Sequence, residues 1–180
     1  LLLDEPLVGL AAQERERIIA LIKSLAEYMG VLLIEHDIDR VFEFSDFVTV
    51  MNEAQVLVTG IPDDVRNDQK VQTAYLGSGK DQIVKNRSSS DLVFDRGSGS
   101  KLLQIEGINT FYGKSHILND VTLDVSQGEV VALLGRNGAG KSTTLKSILG
   151  IAPVSSGRIN FNGHEIQSLS PEQISRLGVG

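Results

Sequence analysis

The stretch Gly135-Arg136-Asn137-Gly138-Ala139-Gly140-Lys141-Ser142-Thr143 constrains this chain more than any other. It follows Val130–Leu134, an apolar run that reads as the body of a strand starting at Glu129. It leads into residues 141–149, which read as a helix closed by Gly150. The spacing G-x-x-x-x-G-K-[ST] between a strand and a helix is that of a phosphate cradle. Its glycines let backbone N–H groups turn toward phosphate oxygens, and the helix N-terminus adds partial positive charge. Lys141 is placed to reach β- and γ-phosphates, and the Ser142 hydroxyl to ligate Mg²⁺. A solvated lysine on a plain glycine turn would not need this strand and helix around it.

A second acidic element opens the sequence, Leu1-Leu2-Leu3-Asp4-Glu5-Pro6. Asp4 at the end of an apolar strand suits a Mg²⁺ ligand. Glu5 beside it suits a base that orients an attacking water. Apolar residues at 18, 22, 25 and 29 then predict a helix over residues 13–29, with Gly30 as its C-cap. Val31–Ile34 reads as a strand buried on both faces, as in a parallel sheet. Glu35-His36-Asp37 follows it, and a His at a strand end can contact a γ-phosphate, polarise water or serve the structure alone. A short helix over 38–44, strands 47–51 and 55–59 joined by Asn52-Glu53-Ala54, and a helix opened by Pro62 complete the first block.

Composition then shifts. Residues 77–101 are dominated by Gly, Ser and charge, which predicts a flexible linker of about 25 residues. Its Gly-Ser-Gly-Lys at 77–80 lacks the flanking strand and helix of a phosphate loop. Beyond it, strands are expected at 102–108 and 121–125, a turn at Ser126-Gln127-Gly128, and a strand at 158–161 followed by a tight Asn162-Gly163 turn. Ser170-Pro171 opens a last helix, and Gly178-Val179-Gly180 reads as the approach to another strand. Tyr112, upstream of the phosphate loop, can stack on an adenine ring or pack as an ordinary aromatic. The chain has no Cys, so disulfides and thiolate metal sites are excluded. The net charge of -6 gives no reason to expect nucleic acid as a partner. No apolar run approaches the roughly 20 residues that span a bilayer, so any membrane role is expected to come through a partner.

Together these residues resemble the ATP-binding cassette (ABC) family of transporter ATPases. "LLLDEP" is similar to the family's Walker B with its catalytic Glu5, "IEHD" to its switch loop carried by His36, and "GRNGAGKST" to its Walker A. Residues 35–65 resemble the end of one ATPase subunit of branched-chain amino acid importers. Residues 102–150 resemble the start of the partner ATPase. The resemblance implies an α/β fold: a P-loop NTPase-type, mainly parallel sheet with flanking helices, plus an antiparallel β subdomain. It divides the chain into two partial cassettes, 1–76 and 102–180, joined by the linker at 77–101. It implies ATP and Mg²⁺ as cofactors, with Asp4 and Ser142 at the metal and Glu5 and His36 catalytic. Tyr112, Gly135, Asn137, Gly138, Ala139, Gly140, Lys141, Ser142 and Thr143 would hold the nucleotide.

The implied function is the ATPase component of an importer for branched-chain or related amino acids. It would sit at the cytoplasmic face of the membrane, with permease subunits, a second cassette and, indirectly, a substrate-binding protein as partners. A soluble tandem ATPase unconnected with transport is the alternative. Neither half carries the family's LSGGQ segment, so the chain is expected to bind nucleotide without turnover alone. Ala11 stands where the family usually has an acidic or amide residue, and Ala54 where it has a turn glycine. One half has the acid pair and the His and the other has the phosphate loop. The two are therefore expected to dock as a permuted core in which Asp4, Glu5 and His36 face Lys141 and Ser142.

Overall fold

The computed structural model describes residues 1–76 and 100–180; the Gly-Ser-Gly-Lys stretch at 77–80 and most of the expected linker lie outside the described residues. In chain order the elements are β1 (Leu2–Asp4), α1 (Ala12–Ala26), β2 (Val31–Glu35), α2 (Ile38–Phe44), β3 (Phe47–Asn52), β4 (Gln55–Gly60), α3 (Pro62–Asn67) and α4 (Gln69–Leu76). Then come β5 (Lys101–Tyr112), β6 (Ser115–Ser126), β7 (Val130–Gly135), α5 (Lys141–Ile148), β8 (Ser156–Phe161), β9 (His164–Glu165) and α6 (Pro171–Arg176).

One sheet has the order β1-β2-β7-β3-β4, and a second has the order β6-β5-β8-β9. β1, β2, β7 and β3 run parallel, with β4 antiparallel at one edge. The second sheet is antiparallel throughout. The strand β7, from the second half of the chain, thus lies between β2 and β3 of the first, in register Leu33↔Ala132 and Val48↔Ala132. This is the expected docking, and residue pattern explains it. Every residue of β2 and of β7 is buried, and such strands need neighbours on both edges and cover on both faces.

The alternation of β7 then divides the core. Val131 and Leu133 join Leu32, Ile34 and Met51 in packing against β5, β6 and α5. Val130, Ala132 and Leu134 join Val31, Leu33 and Val50 in packing beneath α1, α2, α3 and α4 through Ile22, Val41, Val65 and Val71. Period-two side-chain direction makes one strand serve both clusters.

Several local expectations are corrected. Helix α1 caps at Glu27, three residues before Gly30, and Gly30 does not adopt the left-handed turn of a C-cap. It is a spacer instead: a Cβ there would lie 2.8 Å from the Ser126 carbonyl oxygen. The strands expected at 102–108 and 121–125 extend into a long hairpin that turns at Gly113, with φ +61°. Polar and aromatic residues near its tip hide the extended pattern, and register shifts along β5 interrupt the alternation. Gly178-Val179-Gly180 is not itself a strand, but as the approach to one it reaches β1, where Leu2 N–H donates to the Gly180 carbonyl at 2.8 Å.

The β3–β4 turn places Glu53 at φ +48° and Ala54 at φ +69°. A Cβ in that region costs roughly 1–2 kcal/mol. We expect Ala54→Gly to stabilise the fold by about 0.5–1 kcal/mol, net of the freedom glycine adds to the unfolded chain. Urea unfolding checks this through a higher midpoint at unchanged slope; an unchanged or lower midpoint contradicts it.

Candidate functional site

Strand register brings the candidate residues to one edge of the main sheet. Asp4 pairs with Ile34 across β1 and β2, and Glu35 pairs with Leu134 across β2 and β7. The strands β1, β2 and β7 therefore end side by side, in Asp4, Glu35 and Gly135. The next residues along the chain are Glu5, His36 and the phosphate loop. In parallel α/β sheets this carboxyl-end rim is where ligands bind.

The loop has the shape its glycines predict. Gly138 and Gly140 take φ +84° and +106°, which only glycine adopts without strain. A Cβ on Gly140 would meet Leu118 Cδ2 at 2.8 Å, so this glycine lets the loop approach β6. Helix α5 starts directly after it. Lys141 is buried, 5% exposed, and folds back on the loop, donating to the Gly135 carbonyl at 2.7 Å and the Arg136 carbonyl at 3.3 Å. Burial lowers its pKa from the usual lysine value, while the negative charges of Glu5 and Asp4 push it back up. That opposition places both acids within electrostatic reach of the lysine. Asn137, Gly138 and Ser142 are exposed, Thr143 is half-buried, and Gly135 and Ala139 are buried.

The acid side is tied just as closely. Glu5 sits at φ +51°, a conformation rare for a side-chain-bearing residue, and its N–H donates to the Ile34 carbonyl at 3.0 Å. His36 Nδ1 lies 3.6 Å from Glu5 Oε1. Asp4 and His36 are exposed to solvent. Among the described residues no three His, Cys, Asp or Glu groups gather as a metal site. Asp4 and Ser142 are both exposed, each offering a hard oxygen donor, a carboxylate and a hydroxyl. This suits Mg²⁺, which keeps several waters and shares its shell with phosphates.

Tyr112 ends β5 and is 46% exposed. A register shift after Thr110 separates it from that residue, whose hydroxyl meets that of Ser147 on α5 at 3.3 Å. Its neighbour Phe111 stacks on His116 with ring centroids 4.2 Å apart. His164 is exposed on β9, the edge strand of the second sheet.

One residue at the rim escapes the sequence reading. Glu35 is 2% exposed. Its Oε1 accepts the Leu7 N–H at 2.9 Å and its Oε2 accepts the His36 N–H at 3.4 Å. An acid closing an otherwise apolar strand was the available signal.

Comparison with known proteins agrees with the geometry. Residues 118–180 match the family described as ABC transporter, and residues 55–81 match the branched-chain amino acid ATP-binding cassette transporter family. The chain is 29% identical over its whole length to a ribose import ATP-binding protein of Rubrobacter xylanophilus, covering 34% of that protein. Over 99% of its length it is 30% identical to the ribose import ATP-binding protein of a Jannaschia species, covering 32% of that protein. A solved nucleotide-free ATP-binding cassette from an ABC transporter aligns over 43% of the chain and 31% of its own length, with 31% identity and a TM-score of 0.42. The chain thus spans about a third of the length of the curated relatives it matches. The phosphate loop lies within the first family match and all of β4 within the second, and in both matched stretches the chain is similar to ABC transporter ATPases.

Proposed function

We propose that this chain is part of the ATP-binding and ATP-hydrolysing component of an importer. The observation that carries the reading is the rim itself, where Asp4, Glu5, His36 and the phosphate loop end adjacent parallel strands. Backbone N–H groups of residues 135–143 and the start of α5 bind the phosphates. Lys141 exchanges its two loop carbonyls for phosphate oxygens, a stronger charge-assisted pairing. Asp4 and Ser142 hold Mg²⁺, which when bound neutralises phosphate charge. Glu5 orients water and takes its proton, and His36 faces the γ-phosphate beside it. Tyr112 supplies the adenine contact. The lack of an LSGGQ segment supports the view that turnover requires a second cassette.

The match over residues 55–81 favours branched-chain or related amino acids as cargo. The curated relatives named above import ribose. Among the described residues no helix is long and apolar enough to cross a membrane. A peripheral place at the cytoplasmic membrane face, beside permease subunits fed by a substrate-binding protein, follows from the importer reading. A soluble tandem ATPase remains the second reading only if no permease subunit co-purifies with the chain.

Binding of a fluorescent ATP analogue to the chain, with and without Mg²⁺, tests the site. We expect Asp4→Asn to weaken binding about tenfold with Mg²⁺ and hardly at all in EDTA, as loss of one charged ligand predicts. An equal loss in both conditions removes Asp4 from the metal site. No binding by the unaltered chain overturns the nucleotide reading.

A further inference from the structure

We propose that Glu35 is a positioning residue, whose buried carboxylate locks the turn after Asp4 and the His36 loop into one arrangement that senses the γ-phosphate. The inference rests on the reading of Glu5 and His36 as the groups that face that phosphate.

The turn at residues 5–8 is strained. Glu5 holds φ +51°, and the Val8 N–H closes back on its carbonyl at 3.3 Å. Such a conformation persists only where the surroundings over-determine it. Two contacts do so from β2: the Ile34 carbonyl accepts the Glu5 N–H, and Glu35 Oε1 accepts the Leu7 N–H at 2.9 Å. Packing gives little help on the outer flank. Val8 and Gly9 are exposed, and a cavity of about 250 Å³ opens there, bounded by Leu10, Arg15, His36 and Arg40. The Leu7 side chain is buried below, so the turn is pinned at that one residue by its side chain and its N–H together.

The other carboxylate oxygen serves His36. Glu35 Oε2 accepts the His36 N–H and lies 4.0 Å from its Nδ1, while Glu5 Oε1 lies 3.6 Å from that same nitrogen. One carboxylate at 2% exposure thus accepts a donor from each of the two loops that carry the γ-phosphate-facing groups. Burying an acid that merely ended a strand would be costly. Here its bonds join two loops that no main-chain pairing beyond Glu5 connects.

The test compares Mg²⁺ complexes of fluorescent ATP and ADP on the full chain, for the unaltered protein, Glu35→Gln, His36→Ala and the double variant. Glutamine keeps the size but offers one acceptor where two are needed. The unaltered chain is expected to bind the triphosphate about tenfold more tightly than the diphosphate, the scale of one charge-assisted contact. Glu35→Gln should bring that ratio to within about twofold of unity, with ADP affinity changed less than about threefold. In the His36→Ala background it should lower the ratio no further, since both act through one contact. Glu35→Asp keeps the charge, shortens the reach by one methylene, and should show the same collapse if the glutamine variant fails to fold.

A ratio that survives in Glu35→Gln overturns the proposal. So do equal losses for ATP and ADP, full additivity with His36→Ala, or a ratio near unity in the unaltered chain. Failure of the nucleotide reading looks different: no binding of either nucleotide by the unaltered chain.

Discussion

Replacing Lys141 with Met is expected to weaken binding of a fluorescent Mg²⁺–ATP analogue by about 100-fold, the effect of removing the charge-assisted phosphate contact proposed for its ammonium. Methionine keeps the length of the stem, so the space between the loop and β7 stays filled. It removes only the ammonium that now bridges the Gly135 and Arg136 carbonyls. Those carbonyls lose a partner in the empty protein too, so unfolding must be measured beside binding. An unfolding midpoint near that of the unaltered chain, with binding lost, assigns the lysine to phosphate. A loss under about threefold shows that the loop amides bind phosphate without it.

The second large effect concerns the shared sheet. Leu133 is fully buried on β7, beside Ile34 of β2 and Thr49 of β3. Leu133→Ala should cost about 3 kcal/mol, the usual sum of lost transfer energy and residual cavity. Where the loss appears is the informative part. If β7 is a central strand for both halves, amide exchange accelerates together in β2, β3 and β7. Faster exchange confined to β7 and α5, with β2 and β3 unchanged, means the two halves do not share a sheet. The measurement tests the composite rim independently of any nucleotide, because it reads the strands that carry it.

Much of the rim was legible because its signals are local. A glycine loop between an apolar strand and a helix, an acid pair ending a strand, and a His one strand further on can each be read within ten residues. The sheet order was not legible in the same way. That β7 fills the space between β2 and β3 follows from strands buried on both faces. The partners that bury them lie far apart in the chain. Glu35 escaped for a related reason. Its importance comes from the Leu7 N–H, 28 residues away, and no spacing rule announces that meeting. Gly30 was misread because a glycine after a helix suggests a cap. Its actual constraint, the nearby Ser126 carbonyl, comes from β6.

The place of β7 also has a consequence for birth on the ribosome. β2 and β3 belong to one sheet, yet the strand that separates them is made roughly 80 residues after β3. At about 5–20 residues per second, that is a wait of roughly 4–16 s. Where residues 1–180 are made as given, β2 and β3 wait through it for the strand that pairs with both. Pairings so distant in sequence form slowly. For a chain of these residues alone, the facing edges of β2 and β3 stay open to other extended segments until β7 arrives, and a chaperone that shields them would raise the yield of folded chain.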